Sequence, residues 1–397
     1  MKPVKIAMMG MTHGHTRKYY QTLLDNQKLD WVASCAQDAE AKKTYELYKT
    51  GVPCYLDPEE MYKKHPDIEA VVIASANDRH FEQMKWCAEK GIHILSMKIP
   101  TFDMKEYDEM IAMCDKAGIV CQIELEMHYN SVVRRLEKLV KEDAIGKIKS
   151  VQATNITLSP VWAFPWQGDP KASFGSVVTL KKGDSRFRGG ALCDHPHIFD
   201  LIRHLTGSSF DYIYAEVAPN LRDGLKVEDM LMAVGKMKDG TAFLFDPSWS
   251  RLEEKLKVPG PGWERFPKRM EVNVTITGDK GMITCDCFGP NVYHNGAPND
   301  RYTVQYTYFD EWIGLIDEFV DCIRNHKTPL INLKWHKETI QAMLGCYESI
   351  QSGKIAKVGG ASIGINVKRS REAKGSETDE TSPTRRAVCG KTARTVR

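Results

Sequence analysis

Strand-like and helix-like segments alternate through the first 125 residues, and this alternation constrains the fold more than any other feature. The apolar runs Val4–Met9, Trp31–Cys35, Glu69–Ser75 (EAVVIAS), His93–Ser96 and Ile119–Ile123 read as strands. Between them Thr16–Asn26, Ala39–Lys49, Asp78–Lys90 and Met104–Lys116 suit helices. Repetition at this spacing predicts a doubly wound parallel sheet with helices on both faces. After Asn130 the pattern changes. Ser131–Glu142 is a helix with apolar and basic faces, Ile148–Thr157 a strand and Gly190–Leu205 one helix. Strand-like runs then fill Tyr212 to Thr307, before two more helices at Glu311–Asn325 and Trp335–Ser352. A run of strands after an alternating half predicts a separate α+β unit with a large, mostly antiparallel, open sheet. The expected fold is therefore α/β, with one unit over residues 1–126 and a second over 127–358.

Composition agrees with two domains in 397 residues. The net charge of +3 gives no support for a nucleic-acid or polyanion binder. It also conceals an asymmetry. Lys368 to Arg397 hold nine basic and four acidic residues, so 55 and 52 fall to 46 and 48 and the body is about −2. Residues 359–397 lack hydrophobic periodicity and are expected to form a disordered basic tail. Val4–Met9 is too short for a signal-peptide core, and no apolar run approaches the length of a membrane span. Eleven cysteines, an odd number without a paired framework, suit reduced thiols. Cys285 and Cys287 have no further ligands at zinc spacing. A soluble, cytoplasmic protein without membrane contact is expected.

The loop GMTHGH (Gly10–His15) joins the first strand to the first helix, where such a sheet binds a dinucleotide at a helix N-terminus. Its match to G-x-G-x-x-G is imperfect: Gly10 takes the first place, Thr12 the second and His15 the third, with Gly14 one residue early. His13 lies within the same loop. The acid expected about twenty residues on is Asp38 in SCAQDAE, two residues past the strand end. It is placed either to chelate a ribose or to cap the next helix. No basic residue precedes Lys42 to receive a 2′-phosphate, which favours NAD and leaves NADP open.

Several segments together resemble the glucose–fructose oxidoreductase / inositol dehydrogenase / MocA (Gfo/Idh/MocA) family. VVIASANDRH resembles that family's strand exit, with Ala76 in place of proline, and GIHILSMKIP resembles its E-K-P segment. GGALCDHPHIFDLIRHLTG resembles its glycine-led catalytic helix. VTITGDKGMITCD, FDEWIGLIDEFVDCIRNHKTP and YESIQSGK resemble its closing pattern. The resemblance runs from Lys5 to Val358. It implies an N-terminal Rossmann domain binding NAD or NADP and a C-terminal domain whose open sheet mediates oligomerisation. A homodimer or homotetramer is the expected assembly. It also implies redox chemistry at a carbinol of a carbohydrate or polyol substrate.

Hydride removal from a carbinol needs a group that takes the hydroxyl proton. The resemblance places Lys98 against the substrate hydroxyl, although Met97 replaces the family's glutamate and Ile99 separates the lysine from Pro100. It places His197, three residues before Asp200, as the acid/base. Asp194 lies one residue closer to that histidine than the family's aspartate does, which makes His195 a competitor. Ser75, Asn77 and His80 fall in the segment expected near the nicotinamide ribose; for His80 a structural role competes. His128 stands where relatives carry arginine, facing substrate or closing the hinge. Trp162, Phe164 and Trp166 could wall a sugar pocket or plug a loop. Lys181, Lys182 and Arg186 could meet an anionic substrate, but a solvated charge run is the plainer reading. No metal site is expected: Asp194, His195 and His197 have no identifiable further ligand.

Three activities fit these residues. The first is an NAD(P)-dependent dehydrogenase acting on a secondary hydroxyl of a sugar, glycoside or polyol. The second is redox-neutral elimination or hydrolysis of a glycoside with bound, recycled NAD. The third is a sensor that keeps the fold without the chemistry, for which the altered glycine loop and E-K-P segment argue.

Overall fold

The computed structural model describes residues 2–161, 165–169, 172–173, 189–251, 270–289, 291–296, 300–305 and 311–359. The tail beyond 359, Trp162, Phe164, Lys181, Lys182 and Arg186 lie outside the described residues.

The first unit alternates as expected. Its elements are β1 (Val4–Gly10), α1 (Thr16–Asp25), β2 (Leu29–Ala36), α2 (Ala39–Glu46), β3 (Cys54–Tyr55), α3 (Pro58–Lys64), β4 (Ala70–Ile73), α4 (His80–Glu89), β5 (His93–Met97), α5 (Met104–Ala117) and β6 (Cys121–Glu124). The six strands form one parallel sheet in the order β3-β2-β1-β4-β5-β6. All four residues of β4 are buried, as strands covered on both faces by helices must be. The sequence reading missed β3 and α3. β3 is only two residues long and its residues are half-buried, so it carries no apolar run to read. Local signals set the helix ends. The Asp103 carboxylate caps α5 by accepting from Lys105 N and Glu106 N, and Gly118 ends it at a φ of 64°.

The second unit begins with α6 (Ser131–Lys141) and β7 (Ile148–Leu158). It continues through α7 (Ala191–Asp194), α8 (His197–Thr206), β8 (Phe210–Val217), β9 (Leu231–Met237) and β10 (Ala242–Arg251). Then come β11 (Met270–Glu271), β12 (Asn273–Gly278), β13 (Gly281–Asp286), β14 (Asn291–Gly296) and β15 (Asp300–Gln305). The last elements are α9 (Glu311–Asn325), α10 (Leu333–Ser352) and β16 (Ala356–Lys357). The ten-stranded sheet runs β15-β14-β13-β12-β7-β10-β9-β8-β16, with β11 also on β7. Among the described residues its pairs are antiparallel except β7 with β10. Phe199 of α8 packs on Phe210 and Phe245 of the covered face, with ring centroids 5.8 and 5.0 Å away.

Two features depart from the linear reading. Gly190–Leu205, expected as one helix, is two helices. Pro196 has no N–H to donate and disfavours the helical conformation in the residue before it. His195 accordingly sits at φ −120° and ψ 50°, and the chain turns there. Helix α9, late in the sequence, packs on the first sheet: Trp312, Leu315, Ile316 and Phe319 join Val4, Ile6, Tyr19 and Leu23 in one core. Arg324 fastens its end to Glu69 at 2.6 Å. Among the described residues no helix is long and apolar enough to cross a membrane, and the ten cysteines there are free thiols.

Candidate functional site

The strand order places the crevice of the first sheet where the chain reverses direction, at the carboxyl ends of β1 and β4. Gly10 closes β1 at a φ of 90°, and a Cβ there would lie 2.4 Å from Ser75 Cβ. Only glycine allows this close approach. The loop then turns inward. The N–H groups of Thr12 and His13 both donate to Ala74 O, at 2.9 and 3.0 Å. The Thr12 hydroxyl donates to Gln37 Oε1 at 3.2 Å. Gln37, rather than Asp38, is the end residue of the second strand that touches the loop. Asp38 caps α2 by accepting from Ala41 N at 2.8 Å. His13 is buried, and its Nδ1 accepts from His15 N. A glycine turn at the switch point, the N-terminus of α1 and no basic side chain bonded at the end of β2 fit a dinucleotide such as NAD.

At the end of β5, Lys98 turns into the interface with the second unit. Its ammonium, 5% exposed, donates to Asp194 O and lies 3.2 Å from Asp194 Oδ1. The peptide after Lys98 is cis. Asp194 also accepts from Gln167 Nε2 at 3.2 Å and, through Oδ2, from Trp249 Nε1 at 3.0 Å. Burial alone would raise this carboxyl's pKa, but the Lys98 charge, His195 and the Trp249 N–H outweigh it and hold the group ionised. The two residues with His13, Asn77, Trp166, Gln167, Gly190 and Cys193 line one narrow cavity. Trp166 closes it against the glycine loop by donating to Thr12 O at 3.0 Å. Asn77 donates to Ser173 O at 2.7 Å, and its Oδ1 has no partner.

His195 and His197 flank the Pro196 turn. Burial holds the imidazole of His195 down at about 4, and Nε2 lies 3.3 Å from Thr157 Oγ1. Burial also pushes His197 well below its ordinary value. Its Nδ1 points toward Glu126, 3.8 Å from Oε2, without a hydrogen-bond partner. Glu124, at the end of β6, and Glu126 form the part of the region that sequence reading missed. Both are buried carboxyls that burial pushes up, to about 7 and about 8. Glu124 Oε1 meets His15 Nδ1 at 3.0 Å. The available signal was two acids, two residues apart, in the otherwise apolar run CQIELEM, because a buried acid needs an explanation.

Other expected site residues lie elsewhere. His80 is fully buried and bridges Ile99 O and Ser75 O, at 2.8 and 3.2 Å, so it joins two strand exits. Ser75 donates to Gln83 Oε1 at 2.6 Å. His128 Nε2 is 2.8 Å from Asp200 Oδ2, and Asp200 also accepts from Thr339 and Trp335. That network ties the hinge to α10 and does not line the cavity.

Comparison with known proteins agrees with this architecture. The family model for "Oxidoreductase family, NAD-binding Rossmann fold" matches residues 4–125, and that for the GFO/IDH/MocA C-terminal domain matches residues 133–284. Myo-inositol 2-dehydrogenase of Thermotoga maritima is 22% identical over 59% of this chain; the match spans just under two thirds of that protein (66%). D-xylose 1-dehydrogenase (NADP(+)) 2 of Haloferax volcanii is 24% identical over 81% of this chain and 90% of that one. Scyllo-inositol dehydrogenase from Lactobacillus casei, solved with NAD(H) and scyllo-inositol, superposes with a TM-score of 0.70 at 18% identity. That superposition covers 90% of this chain and all of the other, and it shows the shared fold. Matched by both of its domain models in order along the sequence, the chain belongs to the Gfo/Idh/MocA family of oxidoreductases, with an NAD-binding Rossmann fold at its N-terminal end.

Proposed function

We propose that this protein is an NAD(P)-dependent dehydrogenase that oxidises a secondary hydroxyl of a sugar, glycoside or polyol. The observation that carries the reading is the pairing of buried Lys98 with half-buried Asp194, facing the glycine loop across one cavity. Bound nicotinamide supplies the hydride acceptor. Lys98 stabilises negative charge developing on the substrate oxygen, and Asp194 holds the ammonium in place. The hydroxyl proton passes to one of the histidines flanking Pro196, His197 or His195. Trp166 offers an aromatic wall to the C–H face of a sugar, and Asn77 an unpartnered carbonyl oxygen to a hydroxyl. Gly10, Thr12, His13 and Gly14 carry the pyrophosphate turn, with Gln37 beside the adenosine ribose. That end of the crevice favours NAD over NADP. The inositol and xylose dehydrogenases among its relatives support a polyol or aldose substrate.

The reading includes self-assembly through the large sheet. Met232, Val234, Leu244 and Tyr293 expose apolar surface on its strands, which suits a contact between copies. Light scattering should return a dimer or tetramer.

The decisive experiment is a panel of inositols, aldoses and glycosides with NAD and NADP, followed at ~340 nm, the reduced-nicotinamide band. Reduction of cofactor by wild type and its loss in Lys98→Met is the expected result. No reduction with any member, together with no NAD binding by calorimetry, would overturn the reading. Substrate consumed without net reduction would move the protein to redox-neutral glycoside chemistry.

A further inference from the structure

His15, Glu124 and Glu126 come together from three separate stretches of the first unit: the turn into α1, the end of β6 and the segment after it. One donor atom from each lies within 4.8 Å of the others. Glu124 is fully buried and Glu126 is 8% exposed. Among the described residues, neither carboxylate forms an ion pair with a lysine or arginine; Lys98 attracts both from nearby, and His15 and His197 are the histidines beside them. Lys98, the nearby cation, is bonded to Asp194 instead. Ionising two neighbouring carboxyls this deep is costly unless a cation meets them.

A second observation points to what meets them. His197, 5% exposed, comes from the other unit and aims Nδ1 at the cluster, 3.8 Å from Glu126 Oε2. That nitrogen, Glu124 Oε2 and Glu126 Oε2 are all buried without a hydrogen-bond partner. Buried polar atoms without partners on both sides of the Glu126–His197 gap call for a bound group between them.

We propose that His15, Glu124 and Glu126 bind a divalent transition-metal ion, which His197, 3.8 Å from Glu126, can join from the other unit. Two imidazoles and two carboxylates suit Zn2+ or Mn2+, whereas Mg2+ and Ca2+ prefer oxygen-only sites. The separations are close to what such an ion needs. Bonds of about 2.1 Å in a four-coordinate site put neighbouring donors about 3.4 Å apart. Here His15 Nδ1 lies 3.0 Å from Glu124 Oε1, His197 Nδ1 lies 3.8 Å from Glu126 Oε2, and one donor atom each of His15, Glu124 and Glu126 lie within 4.8 Å of one another. Because His197 belongs to α8, the ion would pin the catalytic turn of the second unit to the first. If the dehydrogenase reading also holds, capture of His197 by the ion leaves His195 to exchange the hydroxyl proton. The metal site itself does not depend on that reading.

The test uses the full chain without an affinity tag, stripped with chelator and titrated with Zn2+ and Mn2+ by calorimetry. One equivalent per chain is expected, with a higher Tm when loaded. His15→Asn and Glu126→Gln should each weaken binding by about 30-fold or more. His65→Asn, remote from the cluster, should leave binding unchanged. Co2+ loading gives a readout independent of turnover: visible absorption bands in wild type that Glu126→Gln loses. If Glu126→Gln does not fold, His15→Asn decides alone, because the His15 side chain is partly exposed (29%). No binding by stripped wild type at millimolar metal, or undiminished binding in the folded variants, overturns the proposal. A chain that binds metal yet shows no dehydrogenase activity upholds this site and removes only the functional reading.

Discussion

The Lys98 ammonium of the first unit lies 3.2 Å from Asp194 Oδ1 of the second, the lysine buried and the aspartate half-buried. The pair joins two units that contribute separate parts of the site. Removing Lys98 leaves a half-buried aspartate with only neutral donors. Lys98→Met should cost about 3 kcal/mol and abolish turnover. Lys98→Met/Asp194→Asn should regain part of that stability and none of the activity. Urea unfolding beside steady-state rates checks both, and independent, additive losses in the double variant would contradict the pairing.

Gly10→Ala should be among the most damaging single changes outside the cavity. The new methyl would meet Ser75 Cβ at 2.4 Å and Ser75 Cα and N at 2.5 Å, from a backbone already at a φ of 90°. A loss of at least about 2 kcal/mol is expected. Because backbone atoms also clash, adding Ser75→Gly should not rescue it. Recovery of wild-type Tm in that double variant would show that the contact is softer than its geometry.

Asp38→Ala should cost about 1 kcal/mol through loss of the α2 cap. Its affinity for NAD should stay within about twofold of wild type, since a capping carboxylate is not needed by the ligand. Gln37→Ala should weaken NAD more, because it removes the Oε1 that accepts from Thr12 Oγ1 of the glycine loop. Calorimetric titration of the two variants distinguishes them; a larger loss in Asp38→Ala would return the ribose to that residue.

Glu228 provides a pH prediction away from the cavity. This fully buried carboxyl meets Gly190 N, Leu192 N and Tyr347 OH, and burial pushes it up to about 7 from an ordinary 4.5. Between those values the unfolded chain has released the proton and the folded chain still holds it. Stability from this group is therefore fully present below about 4.5 and is lost as pH rises to about 7, by up to ~3 kcal/mol. Glu228→Gln keeps the shape and removes the titration, so its disadvantage at pH 5 should shrink or reverse at pH 8. Parallel urea midpoints for wild type and variant across that range would refute the assignment.

The alternating half was legible because a doubly covered parallel strand is an uninterrupted apolar run, as in AVVI. The edge strand Cys54–Tyr55 has no such run and was invisible. Lys98, Asp194, Trp166, His13 and Asn77 could be named from loop position and family resemblance, and they share one cavity. Trp249 and Gln167, which hold Asp194, could not be named. They reach it from β10 and from the segment after β7, and nothing local marks that convergence. Asp38 had two roles open, and its partner Ala41 N identifies the cap. The α7–α8 break at His195 was overlooked because apolar residues continue at helical spacing on both sides of Pro196.

The parallel seam between β7 and β10 also bears on how the protein is made. Both helices flanking Pro196 lie between these strands in sequence, and Trp249 of β10 holds Asp194. A parallel pair cannot zip until its later strand exists, and closing so long a loop is slow. A chain still on the ribosome before Arg251 has emerged thus carries the aspartate and both histidines, but not the strand that seats them. The seat of Asp194 is complete only once the middle of the large sheet has closed.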